Sequence, residues 1–204
     1  APPRATAQIG HGVSVPSFAV GSASHSWWAT VVLIAVDATI FASLAFSHVH
    51  VSMKLDVCPP PGAQLPGDGL WPTLMLAGAS LLMAWAARRV QRPGQALLRI
   101  AIALATAGSI GAFALELWLH LQAGLAPTHT AWGATVAAML FWQGFHAVVL
   151  LLMGGYVVAR SVAGLLRPDA RATLDNSALF WHYVGVQGIA AIWLVRLLPQ
   201  WMGG

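Results

Sequence analysis

The chain has 204 residues, of which 58% are hydrophobic and only 8% are charged, and its net charge is +4. A soluble domain carries about 25% charged residues, so this composition excludes an ordinary soluble globular domain and predicts an integral membrane protein. The cations lie in loops beside apolar segments, and we therefore expect no nucleic-acid partner. The single cysteine, Cys58, excludes an internal disulfide.

Residues 1–26 are rich in Ala, Ser, Gly and Pro and show no helical stripe. They lack the charged start, the continuous apolar stretch and the cleavage site of a signal peptide. We predict a disordered or linker-like N-terminal tail. Because the first residue is Ala rather than Met, we expect the chain to be processed or cut from a longer polypeptide.

Residues 27–204 are predicted to form an all-α integral membrane bundle. Five stretches are long and apolar enough to cross a bilayer, and Pro/Gly-containing or polar connectors separate them. This pattern predicts a multi-pass membrane protein. The predicted spans cover residues of about 27–50, 70–90, 96–122, 131–160 and 176–198.

Arginines are concentrated in and beside the connectors that follow the second and fourth spans. The connectors after the first and third spans hold only Lys54 between them. Positive side chains favour the cytoplasmic side, so we predict a cytoplasmic N-terminus and a periplasmic C-terminus. These inner arginines are also candidates for binding anionic lipid head groups, at about 1 kcal/mol per cation. They are Arg88, Arg89, Arg92 and Arg99 at the first connector, and Arg160, Arg167 and Arg171 at the second.

Two acids lie inside the predicted spans, Asp37 in the first and Glu116 in the third. Asp37 lies about 15 Å deep, near the middle of the hydrocarbon layer. A charge there costs at least about 2.5–3.5 kcal/mol, so we expect Asp37 to be protonated, paired or facing protein. The alternative is a neutral aspartic acid bonded to a nearby hydroxyl, that of Thr39 or Ser43. Because Glu116 lies closer to the surface, we expect Glu116→Gln to be milder than Asp37→Asn.

Histidines in or beside the spans raise the possibility of haem or metal binding. A bis-histidine haem needs two imidazoles at matching depth, and only His48 or His50 with His120 meet that condition. His146 is predicted near mid-membrane, whereas His182 lies about 10 Å from the inner end of its span. No cysteine pair or His-Glu-x-x-His motif is present. We predict no metal and no catalytic residue, and interhelical hydrogen bonds for His146 and His182.

Short motifs occur in a consistent order along the five spans. The last span contains Trp181-His182-Tyr183-Val184, which resembles the Trp-His-Phe-Val signature in the final helix of subunit III of haem-copper terminal oxidases. The other four pieces also match that family: an acid followed thirteen residues later by histidine (Asp37, His50), a Pro-Pro-Gly outer loop (58–62), Leu115-Glu116, and Gly144-Phe145-His146. The resemblance covers residues of about 27–198 and is to the short five-helix branch.

Some residues depart from the family pattern. Gly185 stands where the family usually has Asp, Val149 where a second His is common, and Asp37 where Glu is commoner. No role of those missing groups is carried over to this chain. The tail and the non-Met start also suit a segment that follows a fused subunit I.

The resemblance implies a subunit without its own redox centre, in a complex of the cytochrome-c oxidase type. Such a subunit packs on the haem- and copper-bearing subunit I, alongside subunit II and other oxidase subunits. It binds phospholipid and supports proton uptake and stability during oxygen reduction coupled to proton translocation. Asp37 and Glu116 match the family's buried acids, for which a proton-related and a structural role both remain open.

Three alternatives remain at this point. In the first, the chain is subunit III of a quinol oxidase, because the site for the electron donor would lie on other subunits. In the second, it is a haem b membrane anchor of a respiratory dehydrogenase, although the predicted depths of the histidines oppose this alternative. In the third, it is a small transporter or proton channel, although five spans do not divide into two equal inverted repeats.

Overall fold

The computed structural model describes residues 6–9, 13–16, 25–90, 95–166 and 172–202. Two short strands lie in the N-terminal tail, and five long helices form the rest of the described structure. The strands are β1 (Thr6–Ile9) and β2 (Val13–Pro16). The helices are α1 (His25–Ser52), α2 (Leu70–Arg89), α3 (Ala96–Gln122), α4 (Ala131–Val162) and α5 (Ala172–Met202).

All five helices are long and apolar enough to cross a membrane, which confirms the predicted all-α membrane bundle. Four of them begin and end within two residues of the predicted spans, because each is bounded by a Pro/Gly or polar connector. The fifth is longer than predicted at both ends, beginning at Ala172 and continuing through Pro199 to Met202. Which terminus faces the cytoplasm stays a prediction.

The tail, which the sequence predicts to be linker-like, contains a two-stranded antiparallel ribbon. Thr6 pairs with Pro16 and Ile9 with Val13. A two-stranded ribbon buries little surface and is marginal on its own. The remaining residues of the tail before His25 lie outside the described part of the chain.

Small side chains let the helices in the centre of the bundle approach closely, as is usual in lipid. On α3, Gly108 lies against Ala79 and Met75 of α2, where an added Cβ would lie 3.6 Å from Ala79 Cβ. On α4, a Cβ at Gly154 would collide with the hydroxyl of Thr106. The helix α3 is therefore held between α2 and α4.

Helix α1 packs against α4 and α5 and leaves a broad apolar face uncovered. Val32, Leu33 and Val36 on this face are 55–61% exposed. In a membrane such a face meets lipid or another protein, since neither requires it to be polar. Asp37 lies on the side of α1 that packs against α4 and α5.

The two ends of the bundle differ in construction. At one end, which we call the loop end, residues 53–69 and 123–130 cover the helices, and Leu65 and Cys58 pack against the buried Trp132. Burial raises the pKa of the Cys58 thiol. At the other end, Arg99 donates to Ser161 Oγ and to the Ser161 carbonyl, both at 3.1 Å, and so ties the start of α3 to the end of α4.

Candidate functional site

Asp37 lies in a cluster formed by three helices. Its carboxylate is 3.1 and 3.2 Å from Nε2 of His146 on α4, measured to Oδ2 and Oδ1. The phenol of Tyr183 on α5 donates to Oδ2 at 2.5 Å. Asp37 is 9% exposed and His146 1% exposed. The cluster joins α1 to α4 and α5 by polar contacts in the middle of the bundle.

The hydrogen bonds of His146 determine how many protons the cluster holds. Its Nδ1 lies 2.8 Å from the carbonyl oxygen of Trp142, and a carbonyl only accepts, so Nδ1 carries a proton. A neutral ring then has a bare Nε2 facing the carboxyl group of Asp37. That contact is favourable only if one more proton lies between Nε2 and Asp37, either on the carboxyl group or on the ring. The pair therefore stores one proton, as a neutral acid with imidazole or as carboxylate with imidazolium.

The local hydroxyls considered in the sequence analysis bond elsewhere. Thr39 Oγ1 donates to the Val36 carbonyl at 2.7 Å, and Ser43 Oγ donates to the Thr39 carbonyl at 2.8 Å. Both hydroxyls therefore satisfy the backbone of their own helix, a common arrangement for Ser and Thr inside helices. The alternative of an aspartic acid held by neighbouring hydroxyls is wrong, because its partners come from α4 and α5.

Glu116 lies in a second cluster, nearer the loop end, with a different partner. Nη1 and Nη2 of Arg196 donate to its two carboxylate oxygens at 2.7 and 3.0 Å. Such a bidentate pair fixes both groups in one plane. Glu116 is 1% and Arg196 5% exposed. The carboxylate is thus held by a guanidinium, which only donates. Nδ1 of His120 also lies 3.4 Å from Oε1 of Glu116, but its proton is donated to the Glu116 carbonyl oxygen at 2.9 Å.

The remaining donors of Arg196 anchor the loop end to α5. Nε donates to the Gly67 carbonyl at 2.9 Å, and Nη1 also donates to the Ile192 carbonyl at 3.0 Å. Gly69 leaves room for this guanidinium, since a Cβ there would lie 2.9 Å from Nε. The pair therefore joins α3, α5 and the loop that precedes α2.

Tyr183 and Arg196 are site residues that the sequence analysis missed. Arg196 carries a detectable signal, because it is the one cation inside the predicted fifth span and intramembrane cations are functional or paired by default. Tyr183 carries a weaker one. It is adjacent to His182, and the two side chains diverge by about 100° on a helix. Only packing determines which of them faces Asp37.

His146 and His182 have different interhelical partners. Whereas His146 contacts Asp37 on α1, Nδ1 of His182 lies 2.5 Å from Ser80 Oγ on α2. Each histidine therefore links its own helix to a different neighbour. His182 lies ten residues into α5, whereas the predicted span placed it about six residues from the start of that span.

The histidines near the loop end are arranged differently from one another. Nδ1 of His48 donates to Thr135 Oγ1 at 2.9 Å, because that hydroxyl gives its own proton to the Trp132 carbonyl. His120 Nδ1 donates to the Glu116 carbonyl at 2.9 Å. Among the described residues neither Nε2 has a partner. His50, in contrast, is exposed and stacks on Phe46.

Only some of the arginines predicted to bind lipid lie within the described residues. Arg88 is exposed and Arg89 half-buried at the end of α2. Arg160 donates to the Tyr156 hydroxyl at 3.3 Å and lies over its ring. Three further candidates, Arg92, Arg167 and Arg171, lie outside the described residues. Arg88 is thus the described arginine best placed to meet a head group.

Comparison with known proteins does not assign this chain to a family. Neither a scan against protein-family models nor a search of curated proteins finds a match.

Proposed function

We propose that this chain is a subunit III-like companion of a haem-copper terminal oxidase in a bacterial inner membrane. In this role it packs on the haem-copper subunit I, beside subunit II and other subunits, binds phospholipid and supports proton uptake during oxygen reduction. The haem and copper belong to the partner, and the N-terminus faces the cytoplasm.

The observation that carries this proposal is the meeting of three separate motifs in one cluster. The acid of the first span (Asp37), the histidine of Gly-x-His (His146) and the aromatic residue of the final-helix signature (Tyr183) are far apart in sequence, yet they bond one another. Motifs matched by chance have no reason to converge in space. Their contact supports treating the matched residues as one functional unit.

The surface of the bundle also suits a companion subunit. The uncovered apolar face of α1 (Val32, Leu33, Val36) offers a site for a neighbouring subunit or for lipid acyl chains. Asp37, the acid of the proton-storing pair, lies on the same helix, and its partner His146 lies on the adjacent helix α4. In such a complex the pair would supply or receive protons near the partner without taking part in electron transfer.

A haem b anchor is the second candidate, because of His48 and His120. Both donate through Nδ1 and leave a buried Nε2 without a partner among the described residues, as haem-ligating histidines do. However, the cavity of about 120 Å³ beside His120 is not lined by His48. The two rings therefore do not face one common space of haem size, which favours the companion role.

Purification of the tagged chain from its native membrane in mild detergent tests the proposal. We expect a haem-copper polypeptide to copurify, and the chain to be colourless once separated from it. A His48→Ala, His120→Ala double variant serves as a matched control and should retain all the copurifying haem. Haem bound to the separated chain and lost in this variant would instead identify a haem anchor. Absence of an oxygen-reducing partner from the wild-type preparation would overturn the proposal.

A further inference from the structure

A small cavity in the middle of the bundle contains polar side chains. Its volume is about 20 Å³, and its lining includes Ser109, Gln143, His146 and Gln187 among apolar residues. One water molecule needs about 10–15 Å³ of such space and two to four polar partners. This cavity meets both conditions, and one of its walls is the histidine that bonds Asp37.

Gln187 provides independent evidence that a ligand occupies this cavity. Its side chain is 4% exposed, and neither Oε1 nor Nε2 has a hydrogen-bond partner among the described residues. Leaving a buried polar group unsatisfied costs about 1–3 kcal/mol, and this amide presents two such groups. A small hydrogen-bonding molecule that both donates and accepts would satisfy both, and water is the one that fits the volume.

Further spaces lie between this cavity and the loop end, beside Gln143. This residue also lines a second space of about 10 Å³, together with Glu116 and His120. His120 in turn lines the cavity of about 120 Å³ at the loop end, with His129 and Gln64. The polar residues of α3 follow the same line, since Ser109, Glu116 and His120 share one face and span about 16 Å along the axis.

The interior towards the other end of the bundle is largely apolar, and two buried hydroxyls there bond protein groups. Thr106 Oγ1 donates to the Ile102 carbonyl at 2.8 Å, and Ser161 Oγ donates to Gln95 Oε1 at 2.7 Å. There the described side chains form a packed cluster that includes Ile102, Leu98, Leu150, Val157 and Leu174. Among the described residues, the unpartnered amide of Gln187 and the spaces lined by Gln143 lie on the loop-end side of His146. Any exchange of protons between the Asp37–His146 pair and water should take place from the loop end.

We propose that internal waters held by Gln143 and Gln187 form a one-sided proton path from the loop end to the Asp37–His146 pair. A proton enters from bulk water and passes from one water to the next, each accepting one proton and releasing another. It is then taken up between Nε2 of His146 and the carboxyl group of Asp37. The reverse sequence releases it. No electron moves, and the path ends inside the bundle rather than crossing it.

This inference does not rest on the oxidase assignment, and its test uses the full chain alone in lipid nanodiscs. With ¹⁵N-labelled histidine, transfer from H₂O to D₂O gives the exchange rate of the His146 ring proton. We expect Gln187→Leu and Gln143→Leu each to slow this exchange at least tenfold. The His182 ring, which lies off the path and bonds Ser80, should be unaffected in the same sample.

Controls separate a blocked path from a damaged fold. Gln122→Leu, at an exposed position near the end of α3, should leave the rate at His146 unchanged. Replacing an unpaired buried amide by an apolar side chain of similar size is close to neutral for stability, so the unfolding temperature of Gln187→Leu should not fall. The half-buried Gln143 gives a second variant should that expectation fail.

The sidedness is tested in vesicles of known orientation, with D₂O added to one side at a time. We expect faster exchange at His146 when D₂O reaches the loop end. An unchanged rate in both glutamine variants, or equal rates from the two sides, would overturn the proposed path. Neither result would bear on which partner the chain binds.

Discussion

The two buried acids of this protein show how the partner of a carboxylate decides what the carboxylate can do. Both Nη atoms of the Arg196 guanidinium donate to the carboxylate of Glu116, and a guanidinium does not give up a proton. Asp37 faces an imidazole and a phenol, and the imidazole does exchange protons. The imidazole beside Glu116, that of His120, donates its Nδ1 proton to the Glu116 carbonyl oxygen instead of sharing it with the acid. The first cluster therefore holds helices together, whereas the second can hold helices and also store a proton.

The difference also shows that depth is a poor guide to energetic importance in a helix bundle. Glu116 lies nearer the end of its helix than Asp37 does, yet it is the more completely buried of the two acids. Its ion pair is also the one that we expect to cost more stability when one partner is removed. The matched substitution of each acid by its amide separates the two roles, and the following experiments begin with the larger effect.

Glu116→Gln should be the most damaging of these substitutions. It leaves the Arg196 charge buried without a counter-charge, and breaking one side of a buried ion pair costs about 3–5 kcal/mol. Reversible unfolding in mixed micelles measures this loss. This order is the opposite of the one expected from the sequence, in which Glu116→Gln is the milder change, and the measurement decides between them.

A double variant tests the reason for that loss. Replacing both partners, as Glu116→Leu with Arg196→Leu, removes the stranded charge and should recover much of the stability. If the double variant were less stable than Glu116→Gln by several kcal/mol, the cost would come from lost packing at Gly67 and Ile192 instead.

Tyr183→Phe should lower the unfolding free energy by about 1–2 kcal/mol, because it removes one hydrogen bond to the carboxyl group of Asp37. The phenol favours the carboxylate form. Its loss should therefore shift the stored proton from His146 towards Asp37. Infrared spectroscopy should then show more of the carbonyl stretch of a protonated carboxyl group. An unaltered spectrum together with unaltered stability would remove Tyr183 from the cluster.

Asp37→Asn should cost less than about 1 kcal/mol. The amide oxygen can accept from Tyr183, and the amide N–H can donate to the bare Nε2 of His146, so both interhelical contacts survive at the usual worth of such bonds. What disappears is the exchangeable proton. Thermal unfolding should thus change little, whereas a loss of assembled protein comparable to that in Glu116→Gln would show that the Asp37 cluster is purely structural.

Ser80→Ala should have the smallest effect, about 0.6 kcal/mol, since one interhelical hydrogen bond in a membrane protein is worth about that much. It releases His182 from α2 and touches neither acid cluster. Unfolding in the same micelles measures it, with Ser43→Ala on the exposed face of α1 as the control. A fall in the unfolding free energy of more than about 2 kcal/mol would mean that His182 contributes more than one hydrogen bond to Ser80.

Hydropathy and connector residues predicted the helices closely, because a span must be apolar over a length set by the bilayer. The ends of α5 were less well predicted, since polar residues such as Asp175 at its start and Pro199 near its end resemble boundaries although the helix continues past them. The rule that intramembrane charges matter found Asp37 and Glu116. The same rule applied to Arg196 would have found the cation that pairs with Glu116.

The pairing of these groups could not be predicted from the sequence, because it depends on which face each helix turns towards its neighbours. Apolar residues surround each helix of a membrane bundle, so periodicity does not mark the inward face as it does in soluble helices. Whether His182 or Tyr183 faces Asp37 is determined by packing. The buried and unpaired amide of Gln187 gives no signal in the sequence for the same reason.

The most direct test of the contrast between the clusters is the ¹⁵N spectrum of His146 in the full chain, recorded against pH. We predict a ring that always carries a proton on Nδ1, with a further proton shared between Nε2 and Asp37 at neutral pH. In Asp37→Asn that shared proton should be absent. A wild-type ring protonated on Nε2 alone, with Nδ1 bare, would contradict the account, because Nε2 would then donate the ring's own proton to the Asp37 carboxylate and the pair would hold no additional proton.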